Sequence, residues 1–186
     1  IRRAEDIPWA VARAFYIAKS GRPGPVVLDF AKNAQTALIE YQPQTVDFIR
    51  SYNPVPTPEQ SAIEKAAELI NQSVKPLMLV GQGVELAGAR EELLALAEKA
   101  QIPFGQTMLG LSAAPTSHPL NMGMLGMHGN LAPNVMTNQC DLLIAVGMRF
   151  DDRVTGDLHT YAKQAKVIHF EIDPSEVGKI VKPTVA

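Results

Sequence analysis

The chain has 186 residues, 46% of them hydrophobic and 19% charged, with a net charge of −2. That length holds one domain of ordinary size, or one domain and part of another, with enough apolar residues for a sizeable core. The charge balance excludes general nucleic-acid or anionic-membrane binding, no apolar run reaches the roughly 18 residues that span a bilayer, and the single Cys140 excludes an internal disulfide.

The chain starts "IRRAEDIPWAVARAF", with no initiator Met and no signal-peptide pattern, so a piece of a larger polypeptide is expected. Cys140 adjoins an apolar run and reads as a small core residue, compatible with a reducing cytoplasm. Residues 6–19 place Ile7, Val11, Ala14, Phe15 and Ala18 on one helical face, with Asp6 as N-cap, Pro8 in the first turn and Gly21 as a stop. "GRPGPVVLDF" then predicts a turn and a short buried strand, Val26 to Phe30. One helix and one strand cannot close a core, so residues 1–36 are expected to be the end of a separate domain.

Residues 37–56 show no sustained period and collect prolines, the composition of an extended linker. Thr57-Pro58-Glu59-Gln60 reads as a capping box opening a helix, with Ile63, Ala66, Ala67 and Ile70 facing inward. From there strands and helices alternate. "KPLMLVGQG" is a strand, "AREELLALAEKA" a helix with Leu93, Leu96, Ala97 and Ala100 inward, and "IPFGQTMLG" a second strand. "NLAPNVMTN" is a short helix capped by Asn130, "DLLIAVG" a third strand, and "AKVIHFEID" a fourth, followed by a helix start at "DPSEVGK". Strands apolar on both faces and separated by helices predict an α/β fold with a doubly wound, Rossmann-like parallel sheet over residues 57–186.

Ligands of such sheets sit outside the carboxyl ends of the strands. Those ends carry Gly81-Gln82-Gly83, Thr107 to Gly110, Gly147 to Asp151, and Glu171 to Asp173. Glycines admit a ligand to the backbone, Arg149 suits phosphate, and a strand-end carboxylate suits ribose hydroxyls. "GMRFDDRVTG" therefore has two readings, a solvated turn with local ion pairs or a ligand loop. "NMGMLGMHGN" likewise reads as a Met-rich, Gly-rich loop around a flat ligand or as core-filling methionines. A Walker phosphate loop, a zinc-ligand set and a G-x-S-x-G nucleophile turn are absent. His169 lies in an apolar strand and reads as a satisfied core histidine. Asp151 and Asp152 are poor metal ligands because Arg149 and Arg153 compete for them.

"GRPGPVVLDFAKN", "GMLGMHGN", "GMRFDDRVTG" and "HFEIDPSEVGK", in this order and spacing, resemble the catalytic large subunit of the acetolactate synthase (acetohydroxyacid synthase) family. These are thiamine-diphosphate enzymes, and the resemblance covers essentially the whole chain. It implies the last helix and strand of a pyrimidine-binding domain (1–36), a linker (37–56), and a central FAD-binding domain (57–186) ending at Val185-Ala186, where a next sheet strand begins.

By that resemblance FAD is held by Arg22, Gly83, Met108, Leu109, Leu125, Gly126, Met127, His128, Gly147, Met148, Arg149, Phe150, Asp151, Glu171 and Ile172. Lys32, Met127, His128, Asp152 and Arg153 are implied to line the substrate channel, where inhibitors of the family bind, and Arg153 suits a carboxylate such as pyruvate. Ala31-Lys32-Asn33 departs from the family's common "PKD", and Asn130 from its "HGT". The family's catalytic glutamate and its G-D-G…N motif for magnesium and diphosphate match nothing here, so no catalytic or metal-binding residue is expected in this chain.

The implied parent condenses two pyruvates, or pyruvate with 2-oxobutyrate, with loss of CO2, in branched-chain amino-acid synthesis. It would use thiamine diphosphate and Mg2+ held outside this chain, and would be a cytoplasmic homo-oligomer, dimer or tetramer, with a possible regulatory small subunit. The alternatives are the central domain of another thiamine-diphosphate carboligase or oxidase, such as glyoxylate carboligase or pyruvate oxidase, or a non-catalytic nucleotide-binding module.

Overall fold

A computed structural model describes residues 1–186 and resolves two compact units, Ile1–Thr57 and Pro58–Ala186. In the first unit a 3-10 turn, Ala4–Asp6, leads into helix α1 (Ile7–Lys19). Pro8 stands in its first turn, and Asp6 takes the N-cap position without a side-chain cap bond. Gly21 adopts φ +59° and reverses the chain after the helix. Ser20 Oγ donates to Tyr16 O at 2.6 Å, and Tyr52 Oη donates to Ser20 O at 3.0 Å, so this helix end is tied to residue 52. The Arg13 guanidinium lies 4.5 Å over the Trp9 ring, a cation–π contact on the exposed face of α1.

Val26 to Phe30 do not form the buried strand expected from their apolar β-branched run. They are irregular, with Val27 exposed, because the unit offers no neighbouring strand to accept a ladder. A short helix α2 (Lys32–Thr36) follows, and residues 37–57 are irregular apart from an Ile49–Tyr52 bridge across a turn.

The second unit opens with α3 (Gln60–Gln72). Its N-cap is Glu59, without a side-chain cap bond, so the expected Thr57 capping box does not form. Its core-facing stripe is Ala62, Ala66, Leu69 and Ile70, while Ile63 and Ala67 are exposed. The face is thus rotated from the expected one, toward the leucine. Then come β1 (Pro76–Val80), α4 (Gln82–Leu86), α5 (Arg90–Ala100), β2 (Phe104–Gln106), β3 (Asn121–Met124), α6 (Leu131–Thr137), β4 (Leu142–Val146), α7 (Asp152–Thr155) and β5 (Lys166–Phe170). On α5 Leu93 and Ala97 are buried as expected, whereas Ala100 is exposed.

The sheet has five parallel strands in the order β3-β2-β1-β4-β5. The sequence led to four; β3 lies inside the stretch read as a loop, with Phe104 N–H donating to Leu120 O and Leu125 N–H to Gln106 O, both at 2.9 Å. The expected helix at "DPSEVGK" is a run of turns, with Asp173 Oδ1 accepting the Ser175 N–H at 3.0 Å and Gly178 at φ +73°. Val185 bridges Ile168 in parallel beyond β5.

Alternation along the strands feeds two cores. Met78, Val80, Phe104, Leu142, Ile144 and Ile168 face α3 and α5, while Leu77, Leu79, Leu143, Ala145 and Val167 face Leu125, Cys140, Met148, Phe150 and Ala162. Both faces are covered, which is why the strands read as unbroken apolar runs. Asp141 staples the amino edge: its carboxylate accepts from Ser73 Oγ, from the Val74 N–H at 2.7 Å and from the Lys75 N–H at 3.0 Å. No helix is long and apolar enough to cross a membrane.

Candidate functional site

The chain leaves β1 outward to β2 and β3, then returns to place β4 on the other side of β1. The loops after β1 and β4 therefore meet at the topological switch point, the place where open α/β sheets bind ligands. Here the glycines have a use the sequence did not disclose. Gly83 N–H donates to Gly147 O at 3.0 Å, and a Cβ on Gly83 would lie 2.6 Å from Gly147 Cα. A Cβ on Gly81 would run into Gly147 O, and one on Gly110 into Val80 O. Gly147 itself has φ +59°. These glycines let the strand-end loops close on one another, a packing requirement that stands apart from any ligand.

The loop after β2 is a single 3-10 turn, Met108–Gly110, capped by Thr107 Oγ1 accepting the Gly110 N–H at 3.1 Å. Beneath it Gln106 is buried and spends both amide ends. Its Nε2 donates to Gly110 O at 2.9 Å and to Leu111 O and Ala114 O at 3.3 Å, and its Oε1 accepts from Asn121 Nδ2 at 2.8 Å. The result is a rigid turn carrying two apolar side chains into solvent: Met108 is 66% exposed and Leu109 64%.

The loop after β3 behaves alike. Leu125 is buried and Met127 is 61% exposed, and Met127 N–H donates to Arg153 O at 2.8 Å. Arg153 Nη1 lies 3.9 Å from Met127 Sδ, so two residues of the expected substrate channel do adjoin. Asn130 takes the expected N-cap position of α6 but makes no side-chain cap bond; its Oδ1 accepts the Met124 N–H at 2.9 Å instead. His128 is exposed on the same loop.

After β4 the four charges of "RFDDR" sort themselves. Asp151 caps α7, its Oδ1 accepting the Arg153 N–H at 3.0 Å while Oδ2 accepts from Arg149 at 3.0 Å. The Arg153 N–H, then Asp152 and the charges of Arg149 and Arg153, hold the Asp151 carboxyl below its ordinary value. The Arg149 side chain remains half exposed. The reading as a turn with local ion pairs is thus seen directly, and the turn leaves the Arg149 guanidinium facing outward.

Three of the expected cofactor residues point elsewhere. Phe150, at φ +56°, is 1% exposed and packs edge-on against His169 at 5.1 Å and Tyr161 at 6.4 Å. Met148 and Leu125 are likewise core side chains. The turn after β4 thus buries an apolar side chain on each side of Arg149, and the loop after β3 buries Leu125. His169 is buried with Nε2 2.8 Å from Met148 O, but its Nδ1 has no partner, so it is half-satisfied and not the satisfied core histidine expected. Glu171 is largely consumed by its own turn, Oε1 accepting the Ile172 and Asp173 N–H groups at 3.0 and 3.1 Å. Ile172 is exposed beside it. Arg22 and Lys32 belong to the first unit, Arg22 in the turn after α1 and Lys32 at the first position of α2.

The carboxyl edge therefore combines exposed Met108, Leu109, Met127 and Ile172 with a presented guanidinium, a set that fits a flat ring system bearing an anionic group. Sequence reasoning missed Gln106 and Asn134, the two carboxamides that brace the exposed loops. Neither sits in a motif, since their roles arise from bonds across the fold.

Residues 63–186 match the family described as "Thiamine pyrophosphate enzyme, central domain". The chain is 48% identical over 181 residues to the acetolactate synthase large subunit of Corynebacterium glutamicum, covering 97% of this chain and 29% of that protein. It is 42% identical over 186 residues to the acetolactate synthase isozyme 1 large subunit of Escherichia coli, covering 100% of this chain and 32% of that one. It thus spans about a third of the length of these curated relatives. A solved structure from Mycobacterium smegmatis, described as a candidate thiamin diphosphate-dependent enzyme, superposes with a TM-score of 0.71 at 24% identity, over 98% of this chain and 35% of that one. That likeness concerns the fold. The strand order, the carboxyl-edge loops and the family match converge: this chain belongs to the thiamine pyrophosphate enzyme family, with residues 63–186 forming its central domain.

Proposed function

We propose that this chain is part of an acetolactate synthase large subunit and that its second unit holds FAD along the carboxyl edge of the sheet. The observation that carries the flavin reading is the exposure of Met108, Leu109 and Met127 on braced loops beside the presented Arg149. Exposed apolar side chains lose the free energy of burial unless something covers them, and a flat apolar ring system would cover these. Arg149 would offset diphosphate charge, and the 108–109 and 127–128 loops would flank the ring system. The flavin, when bound, is not consumed by the net reaction.

Arg153, with Asp152, Met127 and His128, is proposed to face the substrate channel, where a guanidinium attracts the carboxylate of pyruvate or 2-oxobutyrate. Thiamine diphosphate and Mg2+ are proposed to bind residues outside this chain, so the 186 residues alone would be inactive. Residues 1–36 are proposed as the end of a pyrimidine-binding domain, 37–56 as a linker and 57–186 as the FAD-binding domain. Homo-oligomer formation, a regulatory small subunit and a cytoplasmic location complete the proposal.

The test uses the full-length polypeptide, assayed for acetohydroxy acid from pyruvate with thiamine diphosphate, Mg2+ and FAD supplied. The expected result is acetolactate formation that fails when FAD is omitted from flavin-free protein. Turnover without any acetohydroxy acid product would overturn the synthase reading, and full activity with no flavin bound would overturn the flavin reading.

A further inference from the structure

Asn134 lies in α6, outside the strand-end loops, yet its side chain bonds to one of them. Its Oδ1 accepts the Gly126 N–H at 2.8 Å, and its Nδ2 donates to Gly126 O at 2.9 Å. Both ends of one carboxamide are spent on both polar groups of one residue. Gly126 has φ +96°, and a Cβ there would stand 2.7 Å from Arg153 O, so the position is restricted to glycine and sits directly on the α7 segment. Gly129 N–H also donates to Gly126 O, at 2.9 Å. Between these ties the chain reverses, turning Leu125 into the core and Met127 out to solvent. A methionine on an unrestrained loop gains by folding back onto apolar surface. Here the Gly126 bonds, with the Met127 N–H donating to Arg153 O at 2.8 Å, fix the backbone on which Met127 stands exposed.

We propose that Asn134 is a positioning residue for the candidate flavin site, fixing Gly126 so that Met127 stays presented to the ligand. This rests on the flavin reading above. It predicts that Asn134 acts on flavin affinity through the 126–128 loop, chiefly through Met127.

The experiment is a double-mutant cycle on the full-length protein, prepared flavin-free and titrated with FAD, using Asn134→Ala, Met127→Ala and the pair. The expected result is a tenfold or greater loss of FAD affinity in Asn134→Ala that largely disappears in the Met127→Ala background. If Asn134→Ala fails to fold, the neutral Asn134→Ser, too short to reach both polar groups of Gly126, carries the same cycle. Unchanged affinity in the Asn134 variant, or losses that simply add, would overturn the positioning role while leaving the flavin reading intact. Wild-type protein that binds no FAD would overturn the flavin reading and the inference with it.

Discussion

Gly83 donates its N–H to Gly147 O at 3.0 Å, across the switch point between β1 and β4, with no room for a side chain on either residue. The approach is what lets two strand-end loops share one small volume. A Cβ on Gly147 would meet Gly83 Cα at 2.6 Å and would also force a left-handed φ of +59° on an L-residue. Gly147→Ala should therefore cost about 2–5 kcal/mol, from strain and overpacking together. Gly88, just past the end of α4, also has a positive φ, +66°, but open space around it. Gly88→Ala should cost only about 1–2 kcal/mol. Urea midpoints at constant slope would separate the two, and equal shifts would refute the packing argument.

Arg149 is a half-exposed cation of the carboxyl edge, ion-paired with Asp151, and in the proposed flavin site it meets the diphosphate. Arg149→Ala should weaken FAD binding roughly tenfold to a hundredfold, the loss of a charge-assisted hydrogen bond. Arg149→Lys should recover only part, because a point charge replaces a planar fork. Titration by quenching of flavin fluorescence, repeated at higher salt, measures both. A salt-insensitive loss would count against a charge contact.

Asp141 gives a pH dependence with a definite sign. Burial opposes its charge, but hydrogen bonds from Ser73 Oγ and the Val74 and Lys75 N–H groups outweigh it, so the carboxyl titrates below its ordinary value. A depressed folded-state value means stabilisation fully present above the unfolded value of about 3.9 and lost as pH falls through the lower, folded one. Asp141→Asn should flatten the acid limb of the stability curve below about pH 4 and cost about 1–2 kcal/mol at neutral pH. Denaturation midpoints measured from pH 7 to pH 3 would show it. A variant with the wild-type acid limb would rule this carboxylate out as a contributor.

Tyr161 hides a hydroxyl without a hydrogen-bond partner against the Phe150 ring. Burial, with Cys140 nearby as a lesser cause, pushes the phenol well above its ordinary value. Removing the oxygen relieves a desolvated polar atom and keeps the ring. Tyr161→Phe should accordingly leave thermal stability unchanged or raise it by up to about 1–2 kcal/mol. A clear loss of stability would reveal a hydrogen bond that this arrangement does not contain.

The alternation of strands and helices was legible because each strand is apolar on both faces and each helix carries one apolar stripe. β3 was not, because Gly123 and the flanking methionines suit a loop equally well; only the ladder to Phe104 and Gln106 makes Asn121–Met124 a strand. Val26 to Phe30 failed in the opposite direction, a strand-like run whose unit supplies no ladder. At the site, the types of the edge residues were readable, but their directions were not. Arg149 and Phe150 are adjacent in sequence, yet one is half exposed and the other buried. Asn134 left no trace at all, since its importance comes from two bonds across an eight-residue loop reversal.

The single tryptophan, Trp9, sits in the first unit beneath the Arg13 guanidinium, while the sheet and its loops contain none. Intrinsic tryptophan emission is therefore a private reporter of residues 1–57, blind to melting of the sheet except through coupling. Far-ultraviolet circular dichroism is weighted toward the second unit, which holds the sheet and most of the helices. Coincident transitions would mean that the two units unfold as one cooperative body, and separated ones that each carries its own stability.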